Sequence, residues 1–178
     1  LFDFIICPSD YLRGCLNTDR ILKKKTIDSR LARIMAELIL EDNLEASNTL
    51  QDFLKQYGNE HKIKFQVETY STAKGFIDNY TKSDLVLIDI ELPDGNGFNV
   101  TKNLREIDKE VMIIFVTNMA QYAVKGYEVE AFDFVVKPVN YYQLSIKMDR
   151  ALVKLANIHK SREKTIYLKT TKEIIAIK

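Results

Sequence analysis

A chain of 178 residues, 46% hydrophobic and 29% charged, has apolar material for one good core and part of a second unit at most. Its formal net charge of +1 supplies no global field toward nucleic acid or membrane, and no apolar run reaches the roughly 20 residues that span a bilayer. Cys7 and Cys15 form neither a disulfide framework nor a metal spacing, which points to a reducing cytoplasm; His61 and His159 each stand beside a lysine and read as solvated surface groups.

Residues 1–34 carry a short apolar start, a Pro8-Ser9-Asp10 turn and the basic run Lys23 to Lys25, which reads as a solvated face. Leu1 to Ile6 is too short for a signal core. Because the chain opens on Leu1 rather than methionine, a fragment is expected. The domain proper is expected from Met35, leaving 1–34 as an unassigned extension.

From Met35 strands and helices alternate. Leu38-Ile39-Leu40 reads as a strand ending in Glu41-Asp42-Asn43. Leu50, Phe53, Leu54 and Tyr57 recur at helical spacing, with Gly58 predicted to close the helix. Phe65, Val67 and Thr69 alternate as a strand, and Ser71 is the expected N-cap of a helix burying Ala73, Phe76, Ile77 and Tyr80. Leu85 to Ile90 is the third strand, followed by a helix carrying Phe98, Thr101, Leu104 and Ile107. Val111 to Val116 is the fourth, ending in Thr117-Asn118, with a helix predicted around Ala120, Ala123 and Val124. Phe132 to Val136 is the fifth, ending in Lys137-Pro138. A long helix then starts with Asn140 and Gln143 as a capping box and buries Leu144, Met148, Ala151, Leu152 and Leu155. Such an alternation implies a parallel sheet covered on both faces, with its reactive crevice outside the carboxyl ends of the strands. No Gly-x-Gly-x-x-Gly follows a strand and no glycine-rich loop leads into Gly-Lys-Ser/Thr, which argues against dinucleotide and P-loop sites.

The stretch Asp84 to Gly97 is the centre of the pattern. Its apolar run, interrupted by Asp89 and followed by Pro93, Gly95 and Gly97, reads as a strand buried on both faces. An ionised carboxylate inside such a strand is costly, so Asp89 belongs at the carboxyl end. There it has two readings: a metal ligand or nucleophile, or a cap of the next turn.

Collected at the strand ends are Glu41-Asp42, Asp89, Thr117 and Lys137. Singly, each has an ordinary structural reading. Jointly, three carboxylates at one crevice repel unless a divalent cation neutralises them, and oxygen ligands suit Mg²⁺. A carboxylate can act as a nucleophile in phosphoryl transfer, provided that metal, cation and hydroxyl donors stabilise the charge on the phosphoryl oxygens.

These motifs, from Glu41-Asp42 through Leu87-Ile-Asp-Ile-Glu-Leu-Pro93 with Gly97, then Thr117 and Phe134-Val-Val-Lys137-Pro138, resemble the receiver domain of two-component response regulators, over about residues 35–156. The resemblance implies a flavodoxin-like (βα)5 three-layer α/β sandwich with a parallel sheet in the order 2-1-3-4-5. It implies Asp89 as the phospho-acceptor, Asp42 as a direct Mg²⁺ ligand, Glu41 as a ligand through water, and the backbone carbonyl of Glu91 as a further ligand. Thr117 would bind a phosphoryl oxygen, Lys137 would pair with the phosphate, and Phe134 falls at the aromatic switch position; the Lys137-Pro138 bond is often cis in the family. A sensor histidine kinase is the implied donor. The protein would catalyse only its own phosphoryl transfer and dephosphorylation. Glu91 and Met119, each two residues beyond a key position, are candidates for screening the attacking water.

On phosphorylation Thr117 and Lys137 would draw toward Asp89 and let Phe134 rotate inward, changing the face of the fourth helix, fifth strand and fifth helix, with Tyr122, Lys125 and Tyr127. That α4-β5-α5 face is the expected homodimer surface. The segment from Ala120 to Ala131 resembles receivers of the LytTR class. Residues 164–178 alternate apolar and polar as a hairpin and resemble the opening of a LytTR DNA-binding domain. Residues 157–178 are then a linker and a truncated start, and the output module lies beyond the chain. The leading expectation is a phosphorylation-dependent transcription regulator. The alternatives are a stand-alone or relay receiver acting through protein contacts, and an aspartyl phosphatase, against which Glu91 stands where a second aspartate is expected.

Overall fold

The apolar run Leu85–Ile88 forms the central strand β3, and Met112–Val116, closed by the polar Thr117, forms β6 (Met112–Thr117); both are buried on both faces. The computed structural model describes residues 34–163, 166–169 and 174–177. Expectations for residues 1–33 and for the remaining tail positions lie outside the described residues.

The other elements are β1 (Ile34–Leu40), α1 (Leu44–His61), β2 (Lys64–Tyr70) and α2 (Ala73–Asp78). A two-residue ladder of β4 (Glu91–Leu92) with β5 (Gly95–Asn96) leads into α3 (Gly97–Ile107). After β6 come two 3₁₀ turns, Ala120–Tyr122 and Lys125–Val129, then β7 (Asp133–Val136) and α4 (Tyr141–Glu163). The five-stranded sheet has the order β2-β1-β3-β6-β7, and all its pairs are parallel. With the β4–β5 ladder set aside, this is the expected 2-1-3-4-5 arrangement.

Strand alternation divides the core in two. Leu85, Leu87, Met112, Ile114 and Val116 pack with Leu54 and Tyr57 of α1 and Leu144, Met148 and Leu152 of α4. Val86, Ile88, Ile113 and Phe115 pack with Phe76 of α2 and Phe98 and Leu104 of α3. Every position expected to be buried on α4 is buried, and Asn140 Oδ1 accepts the Gln143 N–H at 2.9 Å, one half of the capping box.

Several expectations need correction. β1 starts at Ile34 and carries Glu37, an acid only 1% exposed that the alternation did not single out. Gly58 does not end α1. The helix runs on to His61, Lys62 takes a left-handed φ of 58°, and the returning chain passes so close that a Cβ on Gly58 would stand 2.6 Å from the Ile63 carbonyl oxygen. The N-cap of α2 is Thr72 rather than Ser71, because Thr72 Oγ1 is the oxygen that accepts the Gly75 N–H, at 3.1 Å. Ile107 is 61% exposed, since α3 stops there and Asp108 folds back onto the Leu104 carbonyl.

The helix predicted around Ala120, Ala123 and Val124 is a pair of 3₁₀ turns. Their bonds run from Tyr122 N to Met119 O, from Ala123 N to Ala120 O and from Gly126 N to Ala123 O. Only Gly126 and Val129 are buried here, three residues apart, which suits a 3₁₀ period better than an α-helical one. At the tail, β8 (Ile166–Lys169) and β9 (Ile174–Ile177) pair antiparallel, the hairpin that the alternation predicts. No described helix is long and apolar enough to cross a membrane.

Candidate functional site: an acidic cleft at the strand ends

The parallel register brings the carboxyl ends of the strands to one edge, and backbone bonds stitch them together. Glu41 N donates to Tyr70 O at 2.9 Å, Asp89 N to Leu40 O at 2.8 Å and Lys137 N to Thr117 O at 3.0 Å. Residues that directly follow β1, β3 and β7 are thereby fixed side by side.

Above them opens a cleft of about 550 Å³, whose lining includes Glu41, Asp42, Asp89, Glu91, Met119 and Lys137. Glu41, Asp42 and Asp89 each offer a carboxylate oxygen, and these atoms lie within 4.8 Å of one another. Glu41 and Asp89 are buried and Asp42 is exposed, so the cluster runs from the sheet edge out to solvent. Lys137 Nζ reaches Asp89 Oδ2 at 2.5 Å and Glu41 Oε2 at 2.6 Å. Glu41 Oε1 in addition accepts the Asn43 N–H at 3.2 Å.

Burial raises the Glu41 carboxyl above its ordinary range, against the opposing pull of Lys137. Burial by itself would lower the Lys137 ammonium, but its hydrogen bonds to Asp89 and Glu41 prevail and hold it above the usual lysine value. Three carboxylates against this one ammonium leave a formal charge of −2. An all-oxygen donor set of that charge, partly open to water, fits a hard divalent cation such as Mg²⁺.

The loop after Asp89 is held tightly. Asp89 Oδ1 accepts the Glu91 N–H at 3.1 Å, and Gly97 N donates to Ile90 O at 2.9 Å. A Cβ on Gly97 would fall 2.0 Å from the Asp89 carbonyl oxygen, so only glycine lets α3 begin this close to Asp89.

Thr117 and Phe134 stand beside the cleft, not in its wall. Thr117 is fully buried at the end of β6, and its Oγ1 accepts the Met119 N–H at 3.2 Å. Phe134 is half-buried on β7, with its ring 6.1 Å from that of Phe115. The aromatic contacts continue from Phe115 to Phe98 at 6.3 Å and from Phe98 to Tyr122 at 5.8 Å. Lys125 and Tyr127 are exposed, whereas Tyr122 is half-buried with the Lys125 ammonium 5.0 Å over its ring. The Lys137-Pro138 peptide bond is cis.

Sequence reasoning missed the role of Asp94, whose carboxylate accepts the Ala73 and Lys74 N–H groups from across the chain. The Pro93-Asp94-Gly95 signature signalled a turn, but nothing local signalled its partner.

A family model described as the response regulator receiver domain matches residues 38–149. The chain belongs to the response regulator receiver domain family. The sensory transduction protein LytT of Bacillus subtilis is similar to it, 34% identical over 101 residues that make up 57% of this chain and 41% of LytT. The sensory transduction protein LytR of Streptococcus mutans is 32% identical over 123 residues, 68% of this chain and 48% of LytR. The chain thus spans less than half the length of these curated relatives. Among solved structures, the non-phosphorylated HemR receiver domain from Leptospira biflexa is similar with a TM-score of 0.59 and 29% identity, covering 66% of this chain and 94% of that one.

Proposed function

We propose that this chain is the phosphorylation switch of a two-component transcription regulator, in which Asp89 accepts a phosphoryl group from a sensor histidine kinase. The observation that carries the reading is the meeting of Glu41, Asp42 and Asp89 at one cleft, with Lys137 bridging two of them. The side chains of Glu41, Asp42 and Asp89 and the backbone carbonyl of Glu91 would hold Mg²⁺. When bound, the cation would offset the repulsion among the acids and share the negative charge of the phosphoryl oxygens.

Asp89 supplies the nucleophile. One of its oxygens forms a bond to phosphorus as the bond from phosphorus to the donor's leaving atom breaks, which leaves an acyl phosphate. Lys137, already 2.5 Å from Asp89, follows the new charge, and Thr117 turns its hydroxyl from Met119 to donate to a phosphoryl oxygen. Movement of the 117–119 turn frees space beside Phe115, into which Phe134 swings. The event is local electrostatics with a distant readout on the 3₁₀ turns, β7 and α4.

Exposed Val124, Tyr127, Val136, Tyr142 and Ile146 lie on those elements, and a second copy of the chain is the proposed occupant of their surface. The proposed output is DNA binding through a domain whose opening strands are the β8–β9 hairpin. The chain catalyses only its own phosphoryl transfer and dephosphorylation, and its place is the cytoplasm.

Incubation with Mg²⁺ and acetyl phosphate, followed by intact mass and peptide mapping, tests the proposal. One phosphoryl group on the peptide that contains Asp89, absent without Mg²⁺ and absent in Asp89→Asn, is the expected result. Modification at another residue, or undiminished modification of Asp89→Asn, overturns it.

A further inference from the structure

We infer that Asp94 is a positioning residue for the divalent cation: by clamping the tip of the β4–β5 hairpin to the start of α2, it holds Glu91 in the wall of the acidic cleft. The inference deepens the reading of that cleft given above and rests on it.

Glu91 pairs with Asn96 and Leu92 with Gly95, so Pro93-Asp94 forms the turn of a two-residue hairpin. Its base is secured by the bonds from Glu91 N to Asp89 Oδ1 and from Gly97 N to Ile90 O. Its body is not secured by packing. Glu91, Pro93, Asp94 and Gly95 are exposed, and Leu92 is the single residue of the hairpin that packs against a core cluster. A ladder this short has little stability of its own.

The tip is held instead by Asp94. Oδ1 accepts the Ala73 N–H at 2.8 Å and Oδ2 accepts the Lys74 N–H at 2.9 Å, so both oxygens are engaged with the first two residues of α2. These backbone donors hold the Asp94 carboxyl below the usual carboxylate range. Charge-assisted bonds of this kind are among the stronger ones available to an exposed side chain. They span 21 and 20 positions of sequence and tie the loop that follows Asp89 to the start of α2.

A backbone carbonyl is a useful ligand only while its direction is fixed. If the hairpin tip is released, cation binding has to order Glu91 as well as bind to it, and the affinity falls by the cost of that ordering.

Isothermal titration of the full chain with Mg²⁺ alone tests this, with Asp94→Ala, Asp94→Asn and Thr72→Ala compared with the unaltered protein. Thr72→Ala removes the other side-chain cap of α2, the bond from Gly75 N to Thr72 Oγ1, and leaves the hairpin untouched. Asp94→Ala is expected to raise the Mg²⁺ dissociation constant by roughly three- to thirtyfold, the range equivalent to losing a helix-capping carboxylate. Asp94→Asn, which keeps one acceptor oxygen, should fall between, and Thr72→Ala should match the unaltered protein. Amide exchange at Leu92 and Asn96 should quicken in Asp94→Ala but not in Thr72→Ala. Should Asp94→Ala fail to fold, the intermediate value for Asp94→Asn carries the test. Unchanged affinity in both Asp94 variants overturns the inference, as does an equal loss in Thr72→Ala, which would trace the effect to α2 stability. Failure of the unaltered chain to bind Mg²⁺ would instead remove the reading of the cleft itself.

Discussion

The ammonium of Lys137 and the carboxylate of Asp89, 48 positions apart in the chain, meet at 2.5 Å. The same ammonium stands 2.6 Å from Glu41, so one lysine serves as the cleft's internal counter-ion to two of its acids.

Removing that charge should separate cation binding from phosphoryl transfer. In Lys137→Met the acids keep their positions but lose their competitor for the cation, so Mg²⁺ binding is expected to tighten. Phosphoryl uptake from acetyl phosphate should fall by about a hundredfold, the scale for losing one preorganised partner of the developing charge. Calorimetry and intact mass measure the two effects independently. Weaker Mg²⁺ binding in Lys137→Met would show that the lysine organises the acids rather than competing with the cation.

Glu91 and Met119 both line the cleft that holds Asp89, which makes them candidates for screening a phosphorylated Asp89 from water. Glu91→Ala and Met119→Ala are each expected to lose phosphate several-fold faster. The decay of the phosphorylated fraction after removal of the donor is the measurement, and unchanged rates would dispose of the shielding role.

Glu37 has neither carboxylate oxygen hydrogen-bonded, and burial pushes its carboxyl well above the ordinary value of 4.5. The folded protein therefore binds this proton more tightly than the unfolded chain. Stability from this group is fully present below the unfolded value and is lost as pH rises through the folded one. Glu37→Leu should be more stable than the unaltered chain by about 1–3 kcal/mol at pH 8, with the gap narrowing as pH falls. Denaturant unfolding at several pH values reads the difference, and a gap independent of pH would contradict it.

Arg105 donates to the carbonyls of Asp108, Val111, Val129 and Glu130, tying the end of the second 3₁₀ turn to the end of α3. Glu130 takes a left-handed φ of 51° at this junction. Arg105→Met should quicken amide exchange over residues 125–131 and cost about 1–3 kcal/mol of stability. Mg²⁺ binding should be unchanged, because no contact of Arg105 reaches the cleft. Exchange confined to the cleft loops would be the contrary result.

Much of this was legible in the chain, for a common reason. The strands β1, β3, β6 and β7 each carry a short apolar run, and the first polar residue after that run marks the carboxyl end, as Glu41, Asp89, Thr117 and Lys137 do. Helices with a full apolar stripe, α1 and α4 above all, were equally plain. Reading failed where an element is decided by partners far away in sequence. Ser71 and Thr72 look alike as caps until Gly75 chooses one. Gly58 looks like a helix end until Ile63 and Phe65 return past it. Ala120, Ala123 and Val124 have helical composition, but all three are exposed, and the segment reaches the core through Tyr122 and Val129 instead, winding as 3₁₀ turns.

Local pattern by itself determined the strand and helix order, the parallel sheet and the edge at which the reactive groups gather, because periodicity and turn chemistry act between near neighbours. The tertiary structure decided that Lys137 bridges Asp89 and Glu41, that Asp94 anchors the hairpin to α2, and that Glu37 is buried without a partner. Those are distances and solvation between residues tens of positions apart, set by strand register and by which faces close against each other, and a linear string does not encode them locally.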